Sequence, residues 1–117
     1  MDANTIKEGK SMAILSYVLI IGPLIALSVN ADKKNPYTSF HLRQGLGLTA
    51  TFLLIGLTMS SYFNRSNLPP ETSFNIAFPF WVFISILTFY GMFTAVMGYT
   101  RPITLLGTFF QKWLKRL

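Results

Sequence analysis

The sequence contains no cysteine, a single histidine and only four acidic residues. Without cysteine, the chain has no disulfide, no thiol nucleophile and no thiolate metal ligand. One histidine and four carboxylates also leave too few ligands to build a metal centre from one chain. These shortages exclude thiol chemistry and most metal chemistry. We therefore expect a protein that has no cofactor and no catalytic residues, and that is not an enzyme.

Charge is scarce as well, because charged residues make up 12% of the chain and hydrophobic residues 51%. Soluble domains carry roughly 25% charged residues. Aromatic residues account for 15%, which argues against a disordered chain because disordered chains are poor in aromatics. The composition therefore indicates a folded protein that is solvated by lipid.

Three long runs carry no Lys, Arg, Asp or Glu, and they cover residues 11–29, 45–63 and 74–98. As helices they would be about 28, 28 and 37 Å long at 1.5 Å per residue, and a bilayer core is about 30 Å thick. Three such helices buried in a small soluble protein would lack enough polar surface to cover them. The sequence predicts an all-α polytopic protein, with residues 1–117 forming one membrane domain of three transmembrane helices.

The first run has an alternative interpretation as a cleavable signal peptide. Lys7 and Lys10 precede it, and residues 26–28 form a small-x-small tripeptide of the kind that precedes cleavage. However, the run is longer than a signal core of about 7 to 15 residues, and it contains Pro23. We therefore expect a retained membrane helix.

The chain ends in a basic segment, residues 103–117, with apolar side chains at helical spacing. This pattern is typical of an amphipathic helix that lies in the membrane interface, although packing on a partner subunit would explain it as well. The residues expected at the lipid interface are Lys112, Trp113, Lys115 and Arg116.

The basic residues predict an orientation. With three spans, Lys7, Lys10 and Arg65 lie on one side together with the N-terminus, and all other lysines and arginines lie on the opposite side with the C-terminus. The positive-inside rule then places the C-terminus in the cytoplasm and the N-terminus outside, as expected for a bacterial inner-membrane protein. The net charge of +6 is expected to attract anionic lipids rather than nucleic acid.

Small side chains line one face of the second and third predicted helices. Such faces allow helices to approach closely, so they predict a packing surface for the chain's own helices or for a partner. A dimer interface or the lining of a pore is the alternative. The residues are Gly45, Thr49, Gly56 and Ser60 on the second helix, and Gly91, Ala95 and Gly98 on the third.

A polar segment precedes the second predicted span and contains Phe40, His41, Arg43 and Gln44. We interpret it as a polar collar that fixes where the helix enters the headgroup region. A pH-sensitive or partner-contacting His41 is the alternative. No ionisable group lies inside any predicted span, whereas proton relays and coupled transporters place such groups at membrane depth.

The order of the spans and the residues Phe40, His41 and Gln44 resemble the Tic-twenty-like family of small bacterial membrane proteins. That family is related to a component of the chloroplast inner-envelope protein-import machinery. The resemblance implies a polytopic helical protein, and its chloroplast relatives imply a role in a protein-conducting complex. Those relatives have four spans, whereas this chain predicts three and an interfacial tail.

These observations predict a non-enzymatic accessory subunit of a larger membrane complex, with protein translocation as the candidate process. Its expected partners are the bilayer and other membrane proteins or a second copy of itself. A small homo-oligomeric channel or transporter is the alternative function. In that case the face formed by Gly45, Thr49, Gly56 and Ser60 would line the pore.

Overall fold

A computed structural model describes residues 1–103 and 106–115, and the described chain is helical. Its elements are α1 (Ala3–Leu15), α2 (Ile21–Lys33), α3 (Pro36–Ser66), α4 (Pro70–Met97) and α5 (Gly107–Trp113). Two of them, α3 and α4, are long and apolar enough to cross a membrane. The predicted spans 45–63 and 74–98 coincide with these two helices.

The first predicted span is wrong as a continuous helix, because α1 ends at Leu15 and α2 begins only at Ile21. Pro23 explains part of the break, since a proline has no N–H to donate to the carbonyl four residues earlier and its ring clashes with that carbonyl. In the first turn of α2 the missing N–H costs nothing. Ile20 adopts a positive φ of 78°, and the chain reverses there.

Helices α1 and α2 form a hairpin against the first half of α3. In the middle of α1, the carbonyl of Gly9 accepts a hydrogen bond from the Thr38 hydroxyl (3.0 Å). At the reversal, the Ile20 N–H donates to the hydroxyl of Thr49 (3.2 Å). On the way back, the Asn30 amide donates to Ser39 (2.8 Å). The hairpin therefore runs alongside α3 only as far as Thr49 and then returns.

This hairpin places the N-terminus differently from the prediction. The Asn35 side chain donates to the carbonyl of Thr5 (3.0 Å), so the start of α1 lies beside the start of α3 instead of at the opposite end of the molecule. A span crossing the whole membrane would separate these two points by about 30 Å. The loop before α3, the N-terminus and the end of α4 consequently share one end, which we call the basic end.

Helix α3 begins where its sequence provides a strong start signal. The Asn35 side chain accepts hydrogen bonds from the N–H groups of Tyr37 and Thr38, and Pro36 occupies the first turn. Asparagine is among the preferred N-cap residues and proline is favoured at the first helical position. Helix α4 runs back antiparallel, and it ends at Gly98, which has a φ of 81°.

The core is confined to the half of the molecule at the basic end. The buried cluster joins α1, α3, α4 and α5 with the reversal after α1 and the segment after α4: Ala13, Tyr17, Tyr37, Leu48, Leu87, Ala95, Ile103 and Phe110. From Ala50 to Phe83, by contrast, no side chain is buried. The far halves of α3 and α4, which we call the distal half, therefore project beyond the core, and the molecule measures 53 × 24 × 22 Å.

The amphipathic tail is shorter than predicted, because α5 covers only Gly107–Trp113. Its apolar residues do not share one outward face. Phe110 is buried over Gly47, where an added Cβ would collide with its ring, whereas Phe109 and Trp113 are exposed and pack on each other with ring centroids 5.4 Å apart. Of the predicted tail, residues 104–105 and 116–117, including Arg116, lie outside the described residues.

Candidate functional site

The polar segment of α3 contributes two fully buried side chains, His41 and Gln44, to a chain of hydrogen bonds. Gln44 Nε2 lies 2.6 Å from the hydroxyl oxygen of Tyr17, and that hydroxyl lies 2.6 Å from His41 Nδ1. His41 Nε2 lies 2.8 Å from the carbonyl oxygen of Tyr99. Gln44 Oε1 accepts from the N–H of Ile103 (2.6 Å). We call Tyr17, His41 and Gln44 the polar node.

The partners determine the direction of each hydrogen bond. A carbonyl oxygen only accepts, so His41 Nε2 donates to Tyr99. The amide nitrogen of Gln44 only donates, so the Tyr17 hydroxyl accepts from it and donates its own O–H in a hydrogen bond to His41 Nδ1. This arrangement fixes one tautomer of His41, with the proton on Nε2, and uses both polar atoms of Gln44.

The polar node ties together segments that are distant in sequence. Tyr17 lies in the reversal between α1 and α2, His41 and Gln44 lie on α3, and their backbone partners lie in the segment after α4. Every side-chain polar atom of the node has a partner, and buried polar groups paired in this way stabilise one specific packing. The node is therefore arranged as a clamp and presents no reactive atom to a substrate.

Phe40, the third of the residues on which the sequence resemblance rests, lies beside the polar node. Its ring contacts the ring of His41 edge-on, with centroids 5.1 Å apart. Its carbonyl accepts a hydrogen bond from Gln111 Nε2 on α5 (2.7 Å). The motif thus lies where α3 meets α1, α4 and α5.

Tyr37 makes a second buried connection that the sequence did not single out. Its hydroxyl donates to the carbonyl of Ala95 near the end of α4 (2.6 Å), and its ring packs edge-on against His41 at 4.7 Å. Tyr17 was missed because a tyrosine in an apolar run indicates ordinary packing, and Tyr37 was missed although it precedes His41 in the same polar segment. Tyr37 lies one helical turn before His41 on α3, whereas Tyr17 reaches His41 only through the reversal after α1.

The small residues on α3 occupy two different environments. Gly45 is covered by the reversal, where an added Cβ would collide with the carbonyl oxygen of Ser16, and Thr49 accepts from Ile20. Gly56 instead faces Trp81 across the distal half, and Ser60 lines an open groove. A pore lined by all four residues is incompatible with this arrangement, because the chain's own hairpin covers Gly45 and Thr49.

On α4, Gly91 and Ala95 are buried, whereas Gly98 ends the helix. An added Cβ at Gly91 would collide with the ring of Tyr17. Gly98 adopts the left-handed conformation that glycine favours, so its role is to terminate the helix. Of the small residues of α4, Gly91 therefore makes room for the polar node.

The distal half contains an open groove of about 480 Å³ between α3 and α4. Small and polar residues are interspersed with larger apolar ones along it. Its lining consists of Gly56, Met59, Ser60, Phe63, Asn64, Leu68, Pro70, Ser73, Phe74, Ala77 and Trp81. The groove has space for an apolar partner, and a few of its own side chains are able to form hydrogen bonds with that partner.

Positive charge gathers at the opposite end of the molecule. Lys112, Trp113 and Lys115 are exposed there, and Arg43 joins α3 to the tail by donating to Gln111 Oε1 (3.2 Å) and to the carbonyl of Lys115 (2.9 Å). Within residues 1–103 and 106–115, Arg65 is the one basic residue in the distal half. Basic residues are therefore divided more unevenly between the two ends than the sequence alone predicted, because α1 begins beside Asn35 and brings Lys7 and Lys10 to the basic end.

Comparison with protein-family models, curated proteins and solved structures finds no match to this chain. Within the described residues, no group of three or more His, Asp or Glu side chains is placed to hold a metal ion.

Proposed function

We propose that the protein is a non-enzymatic accessory subunit of a larger complex in a bacterial inner membrane. The observation that carries this proposal is the distal half, where α3 and α4 leave the core and present apolar side chains on all sides. Exposed residues such as Leu54, Leu57 and Ile86 face outward, and an open groove separates the two helices. Lipid can cover the outer faces, but the groove has the features of a helix-binding surface.

The occupant we propose for the groove is an apolar helix of a partner membrane protein. Gly56 and Ala77 line it, and small residues let helix backbones approach closely in a membrane. Ser60, Asn64 and Ser73 add hydroxyl and amide groups that hydrogen-bond a partner helix, whereas a lipid tail would leave them without partners. The resemblance carried by Phe40, His41 and Gln44 supports protein translocation as the process.

The proposed location has the basic end in the cytoplasm. Because α1 begins beside Asn35, Lys7 and Lys10 join the other basic residues at that end, and Arg65 stands alone in the distal half. This distribution favours the basic end as the cytoplasmic side. The N-terminus and the tail then both lie in the cytoplasm, and the α1–α2 hairpin enters the membrane and returns to the same side.

A photocrosslinking experiment tests the accessory-subunit proposal. A photoreactive phenylalanine analogue is placed at position 74 in the groove, or at the matched position 89 on the outer face of the same helix. The two phenylalanines are similarly exposed, 63% and 69%, and Phe74 alone of the two lines the groove. We expect position 74 to give a product of one defined mass with another membrane protein, and position 89 to give lipid adducts.

Lipid adducts alone at position 74 would refute the proposal. Products containing only a second copy of the chain would also refute it and would favour the homo-oligomeric alternative. Ion flux in liposomes that hold the purified chain would then test the channel function directly.

A further inference from the structure

A second cavity lies at the basic end, between α2, α3 and the tail. It has a volume of about 450 Å³ and is separate from the groove of the distal half. Its lining residues are Leu27, Asn30, Ala31, Lys34, Ser39, Leu42, Arg43 and Lys115. We call it the basic pocket.

The basic pocket has a cationic part and an apolar part. Lys34, Arg43 and Lys115 provide positive charge, and none of the described residues that line the pocket is acidic. Leu27, Ala31 and Leu42 line the remainder with aliphatic side chains. This combination matches an amphiphile with an anionic head and a hydrocarbon chain.

Within the described residues, the hydrogen-bond partners that hold Arg43 in place are uncharged. Its two Nη nitrogens donate to uncharged oxygens, the Gln111 side-chain carbonyl and the Lys115 main-chain carbonyl. Its Nε is buried and has no hydrogen-bond partner within the described residues. Each Nη nitrogen keeps a second N–H, so the guanidinium has hydrogen-bonding capacity left for an anion.

Guanidinium groups bind phosphate oxygens through charge-assisted hydrogen bonds of defined geometry. Lys34 and Lys115 add charge without such directional constraints. We propose that the basic pocket binds the phosphate headgroup of one anionic phospholipid, whose acyl chain follows Leu27, Ala31 and Leu42. The inference deepens the proposed function, because it requires the basic end to face the anionic cytoplasmic leaflet.

The apolar wall favours a lipid over free phosphate. The outer surface of α2 continues the apolar character beyond the pocket, since Leu24 and Ile25 are exposed. An acyl chain that leaves the pocket along α2 would remain in contact with hydrocarbon. Inorganic phosphate would use only the cationic part and would gain nothing from Leu27 or Ala31.

The test measures lipid retained by the purified full-length chain in native mass spectrometry. The chain is incubated with phosphatidylglycerol, with phosphatidylcholine and with glycerol 3-phosphate. We expect selective retention of phosphatidylglycerol and weak displacement by glycerol 3-phosphate. Equal retention of the two lipids would overturn the proposal. Full displacement by glycerol 3-phosphate at a similar concentration would show a phosphate site instead of a lipid site.

Three variants test which residues bind the lipid. Arg43→Gln and Lys34→Asn are each expected to lower retention by roughly tenfold or more, as expected for loss of a hydrogen bond to a charged group. Asparagine suits position 34 because Lys34 adopts the left-handed conformation, with a φ of 50°. Arg65→Gln, which removes a charge from the distal half, is the matched control and is expected to retain lipid normally.

Arg43 also holds the tail, so Gln111→Ala separates the two roles of that side chain. This variant removes the tail contact of Nη1 but leaves the charge of Arg43 intact, and we expect it to retain lipid. Lys34 has no part in the tail contacts of Arg43, so unchanged retention in Lys34→Asn would overturn the pocket even if Arg43→Gln disturbed the tail. The lipid-retention measurement does not depend on the crosslinking experiment, so absence of a partner crosslink at position 74 would leave the lipid result unchanged.

Discussion

The hydroxyl of Tyr17 lies 2.6 Å from Nδ1 of His41, although the two residues are 24 positions apart in the chain. This contact depends on the path of the chain after α1. Helix α1 ends at Leu15, and the chain then reverses beside Thr49 of α3. In the predicted topology the first span would run antiparallel to the second, and its N-terminal part, with Tyr17, would lie at the opposite end of the molecule from His41. The pair therefore links the broken first span to the motif that the sequence singled out.

Replacement of Tyr17 by phenylalanine is the first prediction. The variant keeps the ring but leaves His41 Nδ1 and Gln44 Nε2 without their partner in a buried site. Leaving buried polar groups unpaired costs about 1–3 kcal/mol. We expect Tyr17→Phe to lower stability by that amount in reversible unfolding in detergent micelles.

The matched control is Tyr62→Phe, because Tyr62 is 59% exposed in the distal half. It should leave the unfolding free energy within experimental error. A Tyr17→Phe variant as stable as this control would show that the polar node is not the clamp described here.

Gly45→Ala is the second prediction, and it concerns the contact between α3 and the reversal. A Cβ at position 45 collides with the main-chain carbonyl of Ser16, and backbone cannot rotate away as a flexible side chain can. Overpacking of this kind costs about 1–3 kcal/mol or more. We expect a loss of stability in that range and faster hydrogen exchange of the amides around Ser16.

Gly56→Ala serves as the comparison for this substitution. Its added Cβ would meet only the edge of the Trp81 ring at 3.2 Å, and this contact lies outside the core. It should cost much less and leave the exchange near Ser16 unchanged. Equal losses in both variants would argue that α1 and α2 do not pack on Gly45.

The sequence alone predicted the two long helices and singled out His41 and Gln44, but the interpretation of these two side chains as a headgroup collar is wrong, because both are buried in the core. Helices α3 and α4 were predictable because lipid solvation demands long uncharged runs, and those runs are visible without any tertiary information. His41 and Gln44 stood out because polar side chains are rare next to such runs. Their burial followed from neither composition nor spacing.

The hairpin and the partners of the polar node could not be predicted from the sequence. The mean hydropathy of the run 11–29 is the same whether or not the helix is continuous. It therefore does not show that Pro23 interrupts the helical hydrogen bonds. The partners of His41 and Gln44 after α4 are the carbonyl of Tyr99 and the N–H of Ile103, 58 and 59 positions away. Every residue has these main-chain groups, so no residue type marks them in advance.

The pH dependence of the α1 start is the third prediction. Asp2 caps α1, and the hydrogen bond from the Thr5 N–H to its carboxylate (2.8 Å) lowers the pKa of Asp2 below its ordinary value of 3.8. Because the folded pKa is depressed, the cap is fully present above the unfolded pKa and is lost as the pH falls through the folded pKa. We expect the amide proton of Thr5 to shift in NMR spectra with a midpoint below 3.8.

Asp2→Asn is the control for this titration. Asparagine caps a helix about as well as aspartate but does not titrate, so the Thr5 amide should stay constant over the same pH range. A midpoint at the ordinary value in the natural chain would show that the Asp2 cap is absent in solution.

The side of the membrane occupied by the N-terminus is the fourth prediction, and it distinguishes the hairpin from an uninterrupted first span. The chain has no cysteine, so single cysteines at the exposed positions Asn4, Ser66 and Lys112 can be labelled with a membrane-impermeant maleimide. Asn35 binds the carbonyl of Thr5 at the basic end, so we expect Asn4→Cys and Lys112→Cys to react from the same side. Ser66→Cys should react only from the other side. Labelling of positions 4 and 66 from one side and of position 112 from the opposite side would require α1 and α2 to cross the bilayer together, and would contradict the hairpin.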